Sequence, residues 1–344
     1  MSSNLKTFLR SLLSFFLAAI FLYVAFRGTN FAELWQSLTQ IRYAWIILLV
    51  PVGLASHYVR AVRWKYLLGH VKQDLSTRNL FSAVMIGYMV NNVLPRVGEL
   101  VRPYVAGKLE GIPKTTALGS VVIERILDMM TFFFILCVVL FLYPNSLDAF
   151  WENADSLRPL FLAGSIGCFL VFVLLFLKSE SIFQLVKYIR PIIPSRYREN
   201  MEHLTESFLN GFRIATRRSK FPSIVVLSLV IWFLYGLGLY IPFFAFKEIA
   251  ALHLGFSASI ILLTVVSIAY VLPTPGGFGT YHSFLKFSLM RLYGIDEVTA
   301  LSYSIVTHEV AYIAIMIVGI YYFLRDHLKV SEVAKSAQDK PEVS

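Results

Sequence analysis

Long apolar runs separated by clusters of charged residues dominate the 344-residue chain. A run of about 20 apolar residues is long enough to cross the hydrocarbon core of a bilayer as an α-helix. Six runs of this kind each predict a full membrane span, and they cover residues 8–26, 43–58, 117–142, 160–177, 221–246 and 300–324. Because no convincing small-residue cleavage site follows the first run, we interpret it as an uncleaved helix rather than a signal peptide.

Two further apolar regions, residues 80–108 and 252–292, are interrupted by proline and glycine near their middles. Each predicts either a pair of full spans joined by a surface turn or a re-entrant hairpin that dips into the membrane and returns. The arms of the first region are short for a full crossing, which favours a hairpin entering from the cytoplasm. The arms of the second region are longer and leave both alternatives open.

The two broken regions match each other at a constant offset. The corresponding residues are Val93, Leu94 and Pro95 with Val271, Leu272 and Pro273, then Gly98 with Gly276, and Lys108 with Lys286. Broken segments in matching positions of two halves are typical of inverted-repeat transporters, whose site lies where the breaks meet. A match this short can also arise by chance, so the inverted repeat is a hypothesis at this point.

Composition supports an all-α polytopic membrane bundle, since 57% of the residues are apolar and only 15% are charged. The formal net charge of +10 comes from basic residues between apolar runs, which predicts cytoplasmic loops rather than a nucleic-acid surface. The first basic loop would follow residue 58 and contain Arg60, Arg63, Lys65, Lys72 and Arg78. We therefore expect a membrane domain over residues 1–329, a basic amphipathic cytoplasmic loop over 180–220, a disordered tail over 330–344 and both termini in the cytoplasm.

Ionisable residues fall inside the apolar regions, where they usually face a cavity and pair with one another or with a substrate. The third span carries Glu124, Arg125 and Asp128, of which Glu124 and Asp128 share a helix face and Arg125 can reach Asp128. The alternative is an ion pair that only stabilises the bundle. Further candidates are Arg96, Glu99 and Arg102 near the first break, His282, and His308 beside Glu309. Arg102 could grip a phosphate or be a surface arginine, and His282 could carry protons or be structural.

Other chemistry is not indicated by the sequence. Cys137 and Cys168 both lie in apolar runs, which argues against a disulfide framework or a cysteine metal site. The chain contains neither H-E-x-x-H nor G-x-x-x-x-G-K-[ST], so we expect no metal, cofactor or nucleotide.

Three motifs together resemble the transmembrane region of lysylphosphatidylglycerol synthases, a broad family of flippase-like membrane proteins. They are Asn92-x-x-Pro95-x-x-x-Glu99-x-x-Arg102-Pro103, Glu124-Arg125-x-x-Asp128 and Pro275-Gly276-Gly277-x-Gly279. The resemblance extends over roughly residues 10 to 325. The printed sequence leaves no room after residue 344 for the soluble aminoacyl-transferase domain, so we expect no synthesis of lysyl-phosphatidylglycerol. Relatives often have an acidic residue where Tyr281 and His282 stand here.

The resemblance implies a flippase or lipid transporter of the cell's inner membrane that binds an anionic headgroup in a central polar cavity. Its substrate would be a phospholipid or an isoprenoid lipid, and its partners further copies of the chain or lipid-synthesis enzymes. The alternatives are a membrane-embedded lipid-modifying enzyme, which we favour less, and a scaffold for such enzymes. We expect no catalytic residues, and the candidate binding residues are Asn92, Arg96, Glu99, Arg102, Glu124, Arg125, Asp128, Pro275, Gly276, Gly277, Gly279, His282 and His308.

Overall fold

The computed structural model describes residues 3–69, 71–144, 154–177 and 220–333, and every regular element in these ranges is helical. In chain order the α-helices are α1 (Ser3–Phe26), α2 (Phe31–Gln40), α3 (Tyr43–Ile47), α4 (Leu49–Leu68), α5 (Thr77–Val93), α6 (Gly98–Glu110), α7 (Lys114–Leu142), α8 (Ala154–Leu177), α9 (Phe221–Tyr240), α10 (Lys247–Ala251), α11 (Phe256–Ala269), α12 (Thr280–Tyr293) and α13 (Glu297–Arg325). Most of the predicted basic loop 180–220 lies outside the described residues.

Five segments are long and apolar enough to cross a membrane, and they confirm five of the six predicted spans. They are Tyr43–Leu68, Lys114–Leu142, Ser156–Leu174, Phe221–Phe244 and Glu297–Arg325. The first predicted span lies in α1, which bends by 84° into the amphipathic helix α2 and gives a sixth crossing if the bent pair is counted. The chain is therefore an all-α, multi-pass membrane bundle, as the hydropathy pattern predicts.

The second span corrects one prediction. Helices α3 and α4 extend the apolar run to Leu68, ten residues beyond the predicted end at Tyr58. Arg60, Arg63 and Lys65 are therefore inside the spanning helix and not in a loop. A second correction concerns only the first four residues of the predicted tail, because residues 330–333 are helical and the Glu332 carboxylate accepts a 2.5 Å bond from Lys108 Nζ. The rest of the predicted tail, residues 334–344, lies outside the described residues.

Both broken regions form pairs of short helices. Helices α5 and α6 have 17 and 13 residues, and α11 and α12 have 14 each. At 1.5 Å per residue these arms are about 20–26 Å long, which is less than the roughly 30 Å of a hydrocarbon core. Their lengths favour re-entrant hairpins for both regions, including the second, which the sequence left open.

Close backbone packing explains Gly98 at the start of α6. A Cβ atom at this position would lie 1.9 Å from the carbonyl oxygen of Gly87 in α5 and 2.8 Å from the Asn91 side chain. The Gly98 N–H donates to Asn91 Oδ1 at 2.7 Å, which satisfies a backbone group released by the break. Glycine therefore allows the two arms of the first hairpin to contact each other through their backbones.

The same order of elements occurs twice. A 20-residue helix, a broken hairpin and a 29-residue helix appear first as α4, α5–α6 and α7, and then as α9, α11–α12 and α13. Contacts between the halves are reciprocal, because α7 packs on α11 as α13 packs on α5, and α9 packs on α7 as α4 packs on α13. Helices α4 and α9 are antiparallel, since Arg60 bonds Tyr235 whereas Arg63 bonds Ser228. This arrangement supports the inverted repeat.

Candidate functional site

Two arginines of α4 point into the bundle. Arg60 and Arg63 are three residues apart, so they lie on one face of the helix, and their side chains are 3% and 0% exposed. Arg60 donates to both Glu124 and Asp128 of α7, with Nη1 2.8 Å from Asp128 Oδ2, and Arg63 Nη2 lies 2.7 Å from Asp128 Oδ1. Each carboxylate of α7 thus bonds arginines from another helix.

Arg102 joins this network from α6. Its guanidinium forms a bidentate pair with Glu124, with Nη1–Oε1 and Nη2–Oε2 distances of 3.0 and 2.8 Å. The carbon of the guanidinium lies 3.9 Å from the centre of the Trp64 ring, and Trp64 Nε1 donates to Ser120 Oγ. Arg102 is therefore neither a surface arginine nor open to a ligand in this conformation, because it is buried and Glu124 binds both of its terminal nitrogens.

We call these five residues the arginine cluster: Arg60, Arg63, Arg102, Glu124 and Asp128. Three cations and two anions give it a net charge of +1. Two further donors bond neutral oxygens, Arg60 Nη2 on Tyr235 at 2.7 Å and Arg63 Nη1 on Ser228 at 2.8 Å, while the Nε atoms of all three arginines are buried without a hydrogen-bond partner. A surplus charge in a low-dielectric interior attracts an anion far more strongly than it would in water.

Arg125 does not reach Asp128, which corrects the predicted pairing. Its Nη2 atom lies instead 2.9 Å from Glu99 Oε1 of α6, and both side chains are more than a third exposed. Beside this pair is a cleft between α5, α6 and α7, lined among others by Tyr88, Asn91 and Arg102. Its cavity volume of about 10 Å³ suits one water molecule at most. The cleft is closed to a lipid headgroup in this conformation.

The two breaks contact each other. Arg96, in the first break, has a left-handed backbone with φ of 65°, and its exposed side chain donates to the carbonyl of Val271 in the second break at 3.1 Å. A Cβ atom on Gly276 would lie 3.2 Å from the Asn92 carbonyl oxygen. The Asn92 side-chain nitrogen is buried without a hydrogen-bond partner. Polar groups of both hairpins therefore converge here.

Glycines set the path of the second break after the buried Pro275. Gly276, Gly277 and Gly279 have φ values of 56°, 81° and 78°, which side chains rarely tolerate. A Cβ atom on Gly277 would lie 2.4 Å from the Tyr270 ring. The motif therefore shapes the backbone beside the site, and Gly276 also offers its carbonyl to His308.

A second polar group lies against this turn. His308 Nε2 is 2.8 Å from the carbonyl oxygen of Gly276, and its Nδ1 is 3.0 Å from Glu309 Oε1. His282 Nε2 of α12 lies 3.5 Å from the same Glu309 oxygen. We call His282, His308 and Glu309 the histidine cluster.

The sequence analysis named eight of the ten residues that form the two clusters and the Glu99–Arg125 pair. It assigned the other two, Arg60 and Arg63, to a cytoplasmic loop. One signal could have placed them correctly. His57, Arg60 and Arg63 are spaced by three, and the apolar run resumes at Trp64, Leu67 and Leu68. Such spacing indicates one polar stripe on a longer helix.

Comparison with known proteins gives a consistent set of relatives. A family model described as the lysylphosphatidylglycerol synthase TM region matches residues 11–319. A UPF0104 membrane protein of Methanocaldococcus jannaschii is 25% identical over 295 residues, which cover 80% of this chain and 82% of that protein. A UPF0104 membrane protein of Methanothermobacter thermautotrophicus is 25% identical over 63% of this chain and 67% of its own length. Glycosyltransferase AglD of Haloferax volcanii is 23% identical over 78% of this chain but 46% of its own. No solved structure matches.

Proposed function

Because the chain belongs to the lysylphosphatidylglycerol synthase TM region family, we propose that it is a lipid flippase or lipid transporter. Its site would be the polar cleft between α5, α6 and α7, and its ligand the anionic headgroup of a phospholipid or isoprenoid lipid. The observation that carries this proposal is the net charge of +1 on the arginine cluster. The cluster is buried among the helices next to that cleft. A phosphate there would compensate the surplus charge.

Arg96 and Arg125 are the cations that a headgroup would contact. Both side chains are accessible, whereas Arg60, Arg63 and Arg102 are enclosed by their carboxylate partners. The cleft is too small for a headgroup while Glu99 holds Arg125. Binding would therefore separate this pair, with the phosphate replacing the Glu99 carboxylate as the anion beside Arg125.

Orientation follows from the basic residues, on the same proposal. The segment before α9 is rich in lysine and arginine, which favours a cytoplasmic start for α9 and, because α4 runs antiparallel to α9, an external start for α4. Both termini would then lie in the cytoplasm of a cell's inner membrane. The first hairpin then enters from the cytoplasm and the second from outside. Hairpins from opposite faces give alternating access to one site.

Removing the accessible cations tests the proposal. In vesicles containing a fluorescent analogue of phosphatidylglycerol, Arg125→Gln and Arg96→Gln should each weaken headgroup binding by about tenfold or more and slow transbilayer movement. The estimate follows because a hydrogen bond to a charged group contributes about 1.5–3 kcal/mol. Arg78→Gln, at an exposed arginine outside the cleft, is the matched control. Wild-type rates in both the Arg125→Gln and Arg96→Gln variants would refute the proposed site.

Glu99→Gln provides the reciprocal test. The substitution keeps the size of the side chain but removes the charge that holds Arg125, so anionic lipid should bind severalfold more tightly. Competition between anionic and zwitterionic lipids, read by mass spectrometry of the lipids that co-purify, measures this change. An unchanged preference would mean that Arg125 does not meet the headgroup.

A lipid-modifying enzyme is the second candidate, and the histidine cluster is the observation that favours it. Two imidazoles and a carboxylate in contact can act as acid and base. One relative is named a glycosyltransferase. Incubating the purified protein with lipid separates the candidates, since a product of altered mass indicates an enzyme, and movement of unmodified lipid indicates a flippase.

A further inference from the structure

The histidine cluster joins three side chains from two helices. Ligand atoms of His282, on α12, and of His308 and Glu309, on α13, all lie within 4.8 Å of one another. Both imidazoles are buried, at 2% and 3% exposure, while the Glu309 carboxylate is 32% exposed. The group therefore has an enclosed side formed by nitrogen atoms and an accessible side formed by oxygen atoms.

Hydrogen-bond chemistry requires a cation between His308 and Glu309. The Gly276 carbonyl can only accept, so the nearby His308 Nε2 carries a hydrogen and donates it. In a neutral imidazole this leaves Nδ1 as an acceptor, and Nδ1 faces the carboxylate of Glu309, which also only accepts, at 3.0 Å. Two acceptors at this distance repel each other unless a proton or a metal ion lies between them.

We propose that the cation is a divalent transition metal, with Zn²⁺ as the representative ion. His308 Nδ1, His282 Nε2 and Glu309 Oε1 would be its ligands. Around a tetrahedral zinc with bonds of about 2.0–2.1 Å, neighbouring ligand atoms are about 3.3 Å apart. The two distances to Glu309 Oε1, 3.0 and 3.5 Å, match this spacing.

The surroundings fit a metal site. Ligating histidines usually donate their other ring N–H to a carbonyl or carboxylate, which fixes the tautomer, and Gly276 provides this contact for His308. The rings of Phe278 and Tyr281 lie 4.9 and 5.0 Å from the His308 ring and shield the nitrogen side. Two histidines and one glutamate leave a fourth position on the accessible side, where water or another anionic oxygen would bind.

Zinc binding by the full-length protein tests the inference directly. After removal of any affinity tag and of bound metal with a chelator, the protein in detergent should take up one Zn²⁺ per chain, in competition with a chromophoric chelator. His308→Gln, His282→Gln and Glu309→Gln should each weaken binding by about tenfold or more, since even loss of an outer-shell contact typically costs 10- to 100-fold. His253→Asn is the control, because His253 is an exposed histidine outside the cluster with a left-handed backbone that asparagine tolerates.

X-ray absorption of the zinc-loaded wild-type protein needs no variant and covers the case in which a buried substitution fails to fold. The inference expects two imidazole ligands with first-shell distances of about 2.0–2.1 Å. A spectrum without imidazole scattering would overturn it. So would wild-type protein that takes up no zinc at micromolar concentrations, and the cation between His308 and Glu309 would then be a proton. Equal loss of zinc in the His253→Asn control would also overturn it.

Discussion

At the scale of single residues, the arginine cluster has the most demanding electrostatics among the described residues. Glu124 bonds Arg60 and Arg102 and also lies 3.5 Å from Arg63 Nη2. Removing charges from water is costly, and the cost is recovered only where geometry and remaining hydrogen bonds are good. The bidentate pair with Arg102 and the oxygen atoms of Ser228 and Tyr235 recover part of that cost, although the Nε atoms of the three arginines are buried without a hydrogen-bond partner. The cluster therefore depends on each of its carboxylates.

Glu124→Gln should be strongly destabilising, since it leaves three buried arginines with Asp128 as the one carboxylate of the cluster. Breaking a buried pair by removing one partner costs about 3–5 kcal/mol. Thermal unfolding of the protein in detergent measures the loss, with Glu248→Gln at an exposed glutamate as the control. A melting temperature equal to wild type would mean that Arg102 and Arg60 find other partners, contrary to the described network.

At the scale of elements, the first hairpin depends on the contact between its two arms. Gly98→Ala should separate α5 from α6, because the new methyl group would overlap the Gly87 carbonyl oxygen, which is backbone and cannot rotate away. Overpacking of this kind typically costs about 1–3 kcal/mol. The Glu99–Arg125 contact, one residue away, should be disturbed as well. Thermal stability and lipid preference are the two measurements.

Gly53→Ala is the matched control for this substitution. Gly53 lies within α4, and no atom is within 4 Å of a Cβ added there. Alanine favours a helix over glycine by about 0.5–1 kcal/mol, so this variant should be unchanged or slightly stabilised. If both variants behave alike, the close contact at Gly98 does not limit the hairpin.

At the scale of the whole molecule, the inverted repeat brings the breaks of both hairpins together. Leu94 and Val271 are exposed at these breaks, although each lies within an apolar region. Non-helical backbone at membrane depth is tolerated only where protein or a water-filled cavity surrounds it. The repeat therefore predicts water at the junction of the two hairpins.

Cysteine labelling tests this expectation in a background without Cys137 and Cys168. Leu94→Cys and Val271→Cys should react with a small water-soluble thiol reagent in intact vesicles, and a lipid with an anionic headgroup should protect them. Ile317→Cys, on an exposed apolar face of the spanning helix α13, should not react. Equal reactivity at all three positions, or none at the breaks, would exclude a cavity there.

The sequence by itself determined the properties that depend on neighbouring residues. Hydropathy defined the spanning helices, because a helix that crosses lipid satisfies its backbone internally and needs about 20 apolar residues in succession. Proline and glycine defined both breaks, because they remove a donor or permit positive φ locally. The positions of Glu124 and Asp128 on one face of α7 followed from helical periodicity.

The tertiary structure decided which charges meet. Arg60 and Glu124 are 64 residues apart, and Arg96 and Val271 are 175 apart, so no local pattern relates them. Charge alone assigned Arg60 and Arg63 to a loop, because an arginine at the end of an apolar run looks the same whether it faces water or a buried carboxylate. Likewise, His282 joins His308 and Glu309 only through the packing of α12 on α13. Long-range pairing stabilises both clusters, and it exists only once the helices have packed.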